Sequence, residues 1–306
     1  MDDDLRPVLV IGATGFLGRR VVAALVNDGR RVRAMARTPQ RAQDLAGASV
    51  EIVEGDFLDA ASTAAAVDGV AAVVVCVHTI SQQPAGGDDR DYMDVEAAGI
   101  GNVIAACAAH DVHRVLYVTS IGVAADAASS WLRGRFRTEK ALLSSGLQAT
   151  VLRPGMIVGR GGDGFGIVAR GATRRFAVAV GSPRQRFRTV AVDDLARDLV
   201  DLLGEPAAVG RTFEAGSEDV LTIRQMTAEG ARSVGRRPGR TVFVPTFAVR
   251  LLAPLVERLA RLPRGAISGF VGEGPQQDMV GDPTALRAVL GRIDRPFAEA
   301  VAGQIG

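Results

Sequence analysis

Three evenly spaced glycines form the part of this sequence best suited to a chemical task. Residues 12–18 read Gly-Ala-Thr-Gly-Phe-Leu-Gly and directly follow the apolar run at 7–11. Apolar residues return at helical spacing after Gly18, which predicts a strand, a tight turn and a helix. At such a corner Gly12 permits the turn, Gly15 leaves room for phosphate groups and Gly18 lets the helix approach the strand. Unpaired N–H groups at the helix N-terminus complete a predicted site for a dinucleotide pyrophosphate.

The glycine spacing does not by itself identify a nucleotide site. It is GxxGxxG, where the common dinucleotide fingerprint is GxGxxG, and a glycine triad also fits an ordinary tight turn between a strand and a helix. The strand before the triad and the helix after it favour the nucleotide interpretation.

The end of the second predicted strand decides between NAD and NADP. That strand spans 32–36 and is followed by Arg37, and no acidic residue occurs between Asp28 and Asp44. An acid at this position binds the ribose 2′-hydroxyl of NAD, whereas an arginine can hold the 2′-phosphate of NADP with two parallel hydrogen bonds. Three further residues lie near enough in sequence to assist: Thr38, Arg41 and Arg19. We therefore expect NADP(H), the alternative being that Arg37 is a solvated surface residue.

Two later strand ends also point toward the predicted cofactor crevice. Asp56 follows the third strand, where its carboxylate can accept a bond from the adenine amino group or form an Asx turn or helix cap. The continuous apolar run 70–77 is typical of a strand buried on both faces, and its end directs Val77, His78 and Thr79 into the crevice. His78 has an unperturbed pKa near neutrality, so it is either a proton donor or a hydrogen-bonded histidine at a strand end.

Alternating strands and helices predict an α/β fold with a doubly wound parallel sheet, the Rossmann fold, and a smaller, mainly helical C-terminal part. We assign residues 1–156 and 190–216 to the NADP-binding domain, including a late strand at 212–214. Residues 157–189 and 217–306 form the predicted lid and substrate-binding part. The glycine-rich stretch 159–166 lacks the Lys-Ser/Thr of a phosphate-binding loop and is predicted to be a mobile loop over a pocket.

One apolar helix is expected in the C-terminal part, within residues 247–262. We expect it to pack on its own domain or to line an apolar substrate pocket. The alternative is attachment to a membrane surface, which requires a sharply segregated basic face. The same part carries a predicted capping box at 222–225 and a helix start at Asp282-Pro283.

Composition excludes several classes of protein. Of 306 residues, 47% are hydrophobic and 23% charged, which is ordinary for a globular protein, and a net charge of +2 gives no support for nucleic-acid binding. The longest apolar run, 70–77, is too short to span a bilayer, and an acidic N-terminus does not resemble a signal peptide. Cys76 and Cys107 lie in apolar segments and are predicted to be small buried hydrophobes. We expect a cytoplasmic protein without a metal site or membrane insertion.

Several motifs together resemble the atypical short-chain dehydrogenase/reductases. They lie at residues 12–18, 37, 55–56, 117–120, 152–154 and 192–196. Within that family the chain is most similar to the NAD(P)H-binding branch that includes NmrA-like proteins and the nucleotide-binding accessory subunit of respiratory complex I. Beyond the three glycines and Arg37, the resemblance implies cofactor contacts at further residues: Thr14, Phe16, Leu17, Asp56, Phe57, Val77, His78, Thr119 and Pro154.

The catalytic signature of that family is only partly present. It consists of a serine at the end of the fifth strand and Tyr-x-x-x-Lys on the next helix. Ser120 matches the serine, but Trp131 stands at the tyrosine position and Arg135 at the lysine position. An indole N–H can only donate a hydrogen bond and an arginine stays protonated, so the usual proton relay is missing. Lys140 lies nine residues beyond Trp131, on the opposite face of the helix, and does not replace it.

The resemblance then implies that Ser120 polarises a carbonyl and that Arg135 contacts the nicotinamide ribose, with His78, Tyr92 or water as proton donor. Two functions from different classes are compatible with this site. The first is an NADPH-dependent reductase that transfers hydride to a small carbonyl, enone or quinone-type substrate. The second is a non-catalytic NADP(H)-binding redox sensor, regulator or assembly protein. The expected apolar pocket and lid favour the reductase.

Overall fold

The computed structural model describes residues 6–77, 92–260, 267 and 277–305. Strands in these ranges are β1 Val8–Ile11, β2 Val32–Ala36, β3 Val50–Glu54, β4 Ala72–Val75, β5 Arg114–Val118, β6 Gln148–Pro154, β7 Met156–Val158, β8 Phe176–Val180, β9 Arg186–Ala191, β10 Arg211–Ala215, β11 Val220–Thr222 and β12 Arg240–Val244. Helices are α1 Phe16–Asn27, α2 Ala60–Val67, α3 Tyr92–Ala109, α4 Ser130–Leu143, α5 Asp163–Thr173, α6 Val192–Leu203, α7 Ile223–Ser233, α8 Thr246–Ala260, α9 Thr284–Leu290 and α10 Phe297–Ala300.

Seven of these strands form the central parallel sheet, in the order β10-β6-β5-β4-β1-β2-β3. The order reverses between β1 and β4, and in open α/β sheets a ligand crevice lies at that point, beyond the carboxyl ends of the strands. The predicted doubly wound sheet is therefore confirmed. The late strand is confirmed as well, because β10 joins the sheet at its β6 edge.

The sheet buries apolar side chains on both of its faces. In β1, Val8 and Val10 belong to one hydrophobic cluster, together with residues of α1 and α6, while Leu9 and Ile11 belong to a second cluster with residues of α3. All four β1 side chains are at most 2% exposed. Helices on both faces explain why this strand is continuously apolar rather than alternating.

The stretch 159–166, predicted to be a loop, is helical from Asp163 onward, so the loop prediction is wrong for its second half. Residues 157–189 contain the end of β7, all of α5 and β8, and the start of β9. Glycine-rich composition concealed the helical period of α5, whose Phe165 and Val168 are buried in a third hydrophobic cluster with residues of α7. The C-terminal part is also less helical than expected, because β11-β9-β7 and β12-β8 form two small sheets.

Helix α8 forms where the sequence predicts a helix, but it does not pack as expected. Its residues Phe247, Leu251, Leu252 and Leu255 are 54–80% exposed, so they neither pack on their own domain nor line a buried pocket. Across the described ranges, no helix is both long enough and apolar enough to cross a bilayer.

Aspartate side chains at two sites hold the C-terminal segment against the rest of the molecule. The buried carboxylate of Asp194, in the first turn of α6, accepts bonds of 2.9 Å from the backbone N–H and the Nε of Arg295. Asp219 accepts a bond of 2.5 Å from the backbone N–H of Phe297. The neighbouring Asp193 is about half exposed and lies 3.6 Å from Arg20.

This contrast gives a matched pair of substitutions. Asp194→Ala should lower the free energy of unfolding by about 2–3 kcal/mol, because it removes the buried charged acceptor of two hydrogen bonds from the partly exposed Arg295. Asp193→Ala removes the same side chain from the same helical turn and should cost less than about 1 kcal/mol. Urea denaturation measures both changes in the free energy of unfolding. Equal changes would contradict the role of Asp194 in holding the C-terminal segment.

Candidate cofactor and active site

The glycine corner is built from two glycines that the backbone requires. Gly12 follows β1 with φ +87°, and a Cβ there would lie 2.9 Å from the carbonyl oxygen of Cys76. A Cβ on Gly18 would lie only 2.1 Å from the carbonyl oxygen of Gly12. Real Cβ atoms do not approach backbone oxygens so closely, so side chains at these positions would push α1 away from the sheet.

Gly15 has a different position in the corner. It is the N-cap residue of α1, with φ −76° and ψ 171°, values that any residue adopts. Backbone conformation therefore does not require glycine here. Its N–H donates to the carbonyl oxygen of Gly12 at 3.0 Å and closes the turn.

The N-terminus of α1 fits an anionic group. No side chain caps it, and its first turn contains no acidic residue. The N–H groups and the positive end of the helix dipole are therefore not compensated by a carboxylate of the helix itself. A pyrophosphate would supply the missing acceptors, so this chain's own residues fit a dinucleotide cofactor.

The exit of β2 carries the residues that would distinguish NADP from NAD. Arg37 and Arg41 are both exposed beside the short 3₁₀ helix Pro39–Leu45. Arg19 is held in this region by the protein itself, since it pairs with Asp44 and donates to the carbonyl oxygens of Thr14 at 3.1 Å and Arg41 at 2.8 Å. Arg37 and Arg41 thus lie at the surface, while Arg19 has a structural role.

The exit of β3 contains the Asx turn that the sequence left open as an alternative. Asp56 Oδ1 accepts a bond of 3.0 Å from the backbone N–H of Leu58. Phe57 is 7% exposed and packs so closely on Gly99 that a Cβ there would overlap its ring. The Asx turn does not use the second carboxylate oxygen of Asp56, so adenine binding by Asp56 stays a prediction.

A buried ion pair lies where the family has its lysine. The guanidinium of Arg135, 2% exposed, lies 3.1 Å from the carboxylate of Glu96 through Nε and donates from Nη2 to the Val77 carbonyl oxygen at 3.3 Å. It also stacks 4.6 Å from the ring centre of Trp131. Tyr117 donates its hydroxyl to Glu96 as well.

The charges of this network are fixed by burial and by one another. Burial alone would lower the pKa of Arg135. The negative charge of Glu96, together with smaller contributions from nearby groups, outweighs burial and raises this pKa. Burial, reinforced by the Glu96 carboxylate, raises the pKa of Tyr117 well above its usual value. Tyr117 is therefore a neutral core residue, and neither it nor Arg135 can release a proton near neutral pH.

Glu96, on α3, was missed by the sequence analysis, which assigns it no role. The side chain is 1% exposed and is a partner of Arg135. Glu139, four residues after Arg135 and on the same face of α4, is also buried. It accepts from Thr119 at 2.5 Å and pairs with Arg153. The i, i+4 spacing from Arg135 was a signal that could have found Glu139.

Ser120 and Trp131, at the serine and tyrosine positions of the family signature, are both described by the structure. Ser120 follows β5, is partly buried and donates to the carbonyl oxygen of Ile121 at 3.1 Å. Trp131 is 6% exposed on the first turn of α4. His78 lies outside the described residues, as does Thr79.

Several predicted cofactor contacts are parts of the core. Leu17, Phe57, Thr119 and Pro154 are buried, whereas Thr14, Phe16 and Val77 are partly exposed. Contacts from the buried residues to a cofactor would come from their backbone. Phe16 also packs under the turn after β7, because a Cβ on Gly162 would lie 2.9 Å from its ring. The glycine-rich stretch therefore joins the C-terminal part to the glycine corner.

A cavity of about 530 Å³ lies in the C-terminal part, and none of the predicted cofactor residues line it. Its walls come from the start of α5, the end of α7 and the end of the chain, including Phe165, Ala169 and Ile305. Arg160 and Arg236 also line it. This cavity is therefore partly polar, and the expected apolar substrate pocket stays a prediction.

Cys107 is buried as predicted, whereas Cys76 is only partly buried and packs against the core. Both are unbonded thiols, and burial raises the pKa of each to about 12. They are therefore protonated and unreactive near neutral pH.

Comparison with known proteins agrees with this geometry. The family model described as NAD(P)H-binding matches residues 12–206. The (4-alkanoyl-5-oxo-2,5-dihydrofuran-3-yl)methyl phosphate reductase of Streptomyces griseus subsp. griseus is 30% identical over 301 residues, covering 95% of each chain. Quinone oxidoreductase 2 of Escherichia coli (strain K12) is 26% identical over 292 residues, covering 92% of this chain and 96% of its own.

A solved structure supports the same fold. The UDP-glucose 4-epimerase of Thermus thermophilus in complex with NAD matches with a TM-score of 0.73 at 19% identity, over 98% of this chain and 97% of its own. At that identity the match establishes the fold alone. The family model covers more than half of the chain, and the Streptomyces reductase covers nearly all of it. The chain therefore belongs to the NAD(P)H-binding atypical short-chain dehydrogenase/reductases.

Proposed function

We propose that this protein is an NADP(H)-dependent reductase that transfers hydride to a small conjugated carbonyl compound, an enone or a quinone, without a tyrosine proton donor. The observation that carries the proposal is the uncapped N-terminus of α1 beside an exposed Arg37, with no acidic residue between Asp28 and Asp44. The uncapped helix favours a pyrophosphate, and the arginine favours a 2′-phosphate.

The substrate class follows from the missing proton relay. Reduction of a simple ketone generates an alkoxide, a strong base that needs an acid beside it. Hydride addition to a conjugated carbonyl forms an enolate or a phenolate, in which the charge is delocalised and a water molecule suffices as proton source. The Streptomyces relative is named for a substituted oxo-dihydrofuran and the Escherichia coli relative for quinones, and both names denote conjugated carbonyl compounds.

The chain's own residues would divide the remaining work. The cofactor, when bound, supplies the hydride. Ser120, at the end of β5, would donate a hydrogen bond to the substrate oxygen as negative charge develops there. Arg135 would act as a positioning residue, because its bonds to Glu96 and to the Val77 carbonyl oxygen link α4, α3 and the end of β4.

A second candidate function is a non-catalytic NADP(H)-binding sensor. Two observations favour it: Trp131 occupies the tyrosine position, and the guanidinium of Arg135 is occupied by Glu96. Both functions require the same cofactor, so only turnover separates them.

Cofactor preference tests the role of Arg37. NADPH should bind at least tenfold more tightly than NADH, because a charged 2′-phosphate held by an arginine contributes about 1.5–3 kcal/mol. Arg37→Ala should abolish this preference and leave NADH affinity unchanged. Arg31→Ala, also exposed but placed before β2, is the matched control and should retain the preference. Isothermal titration calorimetry measures all six affinities, and equal binding of both cofactors by the unmodified protein would contradict the NADP assignment.

The glycine corner is tested at Gly15. Gly15→Val should abolish NADPH binding while circular dichroism remains native, because its φ is accessible to valine and the new side chain would occupy the phosphate position. Gly47→Val is the control, since a Cβ there meets no atom within 4 Å. Normal NADPH binding by Gly15→Val would show that the corner is only a structural turn.

Turnover is tested by stopped-flow oxidation of NADPH, with and without deuterium at the transferred position, against aldehydes, ketones, enones and quinones. A primary isotope effect with the conjugated compounds is expected. Ser120→Ala should slow hydride transfer by about 10²-fold, as loss of one oxyanion donor does, whereas Trp131→Phe and the control Ser144→Ala should retain most of the rate. Oxidation by none of the compounds would favour the sensor. Loss of activity in Trp131→Phe alone would place the reacting carbonyl elsewhere.

A further inference from the structure

A two-stranded sheet exposes apolar side chains to solvent in the C-terminal part. In β8, Ala177 and Ala179 are buried while Phe176, Val178 and Val180 face outward, the first two 59% exposed. The register pairs Val178 with Val242 of β12, and Val242 is 47% exposed. The outer face of this sheet is therefore apolar. The alternating pattern of β8 would equally allow polar residues at these outward positions.

Helix α8 also contributes apolar surface, because its large apolar side chains face solvent. Among its described side chains only Ala253 and Glu257 are buried, and they lie four residues apart on one face. At about 100° per residue, Leu251 and Leu255 lie on the opposite face, and they are 80% and 58% exposed. Phe247 lies beside Leu251 on the helix and is 72% exposed. The helix thus turns its carboxylate inward, where it accepts from the backbone N–H of Ile267, and its large apolar residues outward.

The sheet and the helix are continuous with one another. Only Pro245 separates β12 from α8, and Gly181 N donates to the Val244 carbonyl oxygen at 2.8 Å, which holds the end of β8 at the same place. Isolated exposed apolar residues are common on soluble proteins, but contiguous apolar surfaces mark interaction sites.

The charge around this surface is strongly positive. Residues 174–184 and 234–258 contain eight arginines and one carboxylate, Glu257, which is buried, whereas the whole chain has a net charge of only +2. Arg175 lies 5.9 Å from the ring centre of Phe176. Arg240, at the start of β12, donates its backbone N–H to the Arg175 carbonyl oxygen at 3.0 Å. Exposed arginines thus adjoin the apolar residues.

We propose that this apolar-basic face, formed by β8, β12, α8 and their arginines, binds the surface of an anionic lipid bilayer. Outward apolar side chains would enter the headgroup region, and the arginines would bind anionic headgroups. A second copy of the chain fits this face less well, because a symmetric dimer would place the same arginines opposite one another. The segregated basic face that α8 lacks by itself is supplied by the segments that flank β8 and by the segment before β12.

Vesicle co-sedimentation of the full-length protein tests this proposal. Phosphatidylcholine vesicles containing 30% phosphatidylglycerol should sediment the protein, and pure phosphatidylcholine vesicles should bind it at least tenfold less tightly. Raising the salt concentration from 0.1 to 0.5 M should weaken binding, because the arginines act through a screened interaction.

Matched variants separate the two parts of the face. Leu251→Ser combined with Leu255→Ser should weaken binding at least tenfold, whereas Val209→Ser with Ile293→Ser changes exposed apolar residues elsewhere and should not. Arg174→Gln, Arg175→Gln and Arg240→Gln together should abolish the preference for anionic vesicles. The control Arg31→Gln, Arg137→Gln and Lys140→Gln removes the same number of exposed charges from other surfaces and should preserve it. Thermal unfolding by circular dichroism verifies that each variant is folded.

The same measurements include outcomes that would overturn the proposal. Absence of vesicle binding by the unmodified protein would do so, and so would equal binding of neutral and anionic vesicles. Sedimentation velocity provides a further test: a dimer that dissociates in the Leu251→Ser, Leu255→Ser variant, without vesicle binding, would identify the face as an interface between copies. None of these outcomes depends on whether the protein oxidises NADPH.

Discussion

The close approach of α1 to the end of β1 is the constraint on which the cofactor site depends. It exists because two positions carry no side chain: a Cβ on Gly18 would overlap the Gly12 carbonyl oxygen, and a Cβ on Gly12 would press on the Cys76 carbonyl oxygen. The contact brings the uncapped helix N-terminus to the crevice between β1 and β4. The parallel strands place their carboxyl ends at the same edge of the sheet, so the residues that follow β2, β3 and β5 lie along that edge.

The second organising feature is the ion pair between Arg135 and Glu96. Removing one partner of a buried pair typically costs about 3–5 kcal/mol, because the other charge is left without compensation, so these residues constrain α3 and α4 strongly. An arginine suits this position because it forms several bonds at once, to Glu96 and to the Val77 carbonyl oxygen, and stacks on Trp131. The family's lysine can tune the pKa of a proton donor. The arginine that replaces it here instead links α3 and α4.

The arginines of this chain differ in what surrounds them. Arg19 is engaged by Asp44 and Arg153 by Glu139, and both contribute to the fold around the crevice. Arg174, Arg175 and Arg240 lie exposed beside an apolar surface. A balanced net charge conceals this separation, because the chain's carboxylates are placed mainly elsewhere. The spatial distribution of charges, rather than the net charge, therefore determines which surfaces of this protein can bind anions.

The sequence by itself determined the sheet, its helices and the glycine corner. These depend on local periodicity and on glycines whose spacing follows from turn and helix geometry, and both are visible within about 30 residues. The sequence also revealed that the tyrosine and lysine of the family are replaced, because residue identity at two positions is enough for that.

Only the tertiary structure decided the partners and the exposure of particular side chains. Glu96 and Arg135 are 39 residues apart, and nothing in the local sequence indicates that this acid forms a buried ion pair. The two-stranded sheet of the C-terminal part pairs Phe176 of β8 with Arg240 of β12, 64 residues further along the chain. Helical periodicity placed an apolar face on α8 but could not say whether another element covers it. Whether an apolar residue is core or surface depends on what packs against it, and that is a property of the folded chain.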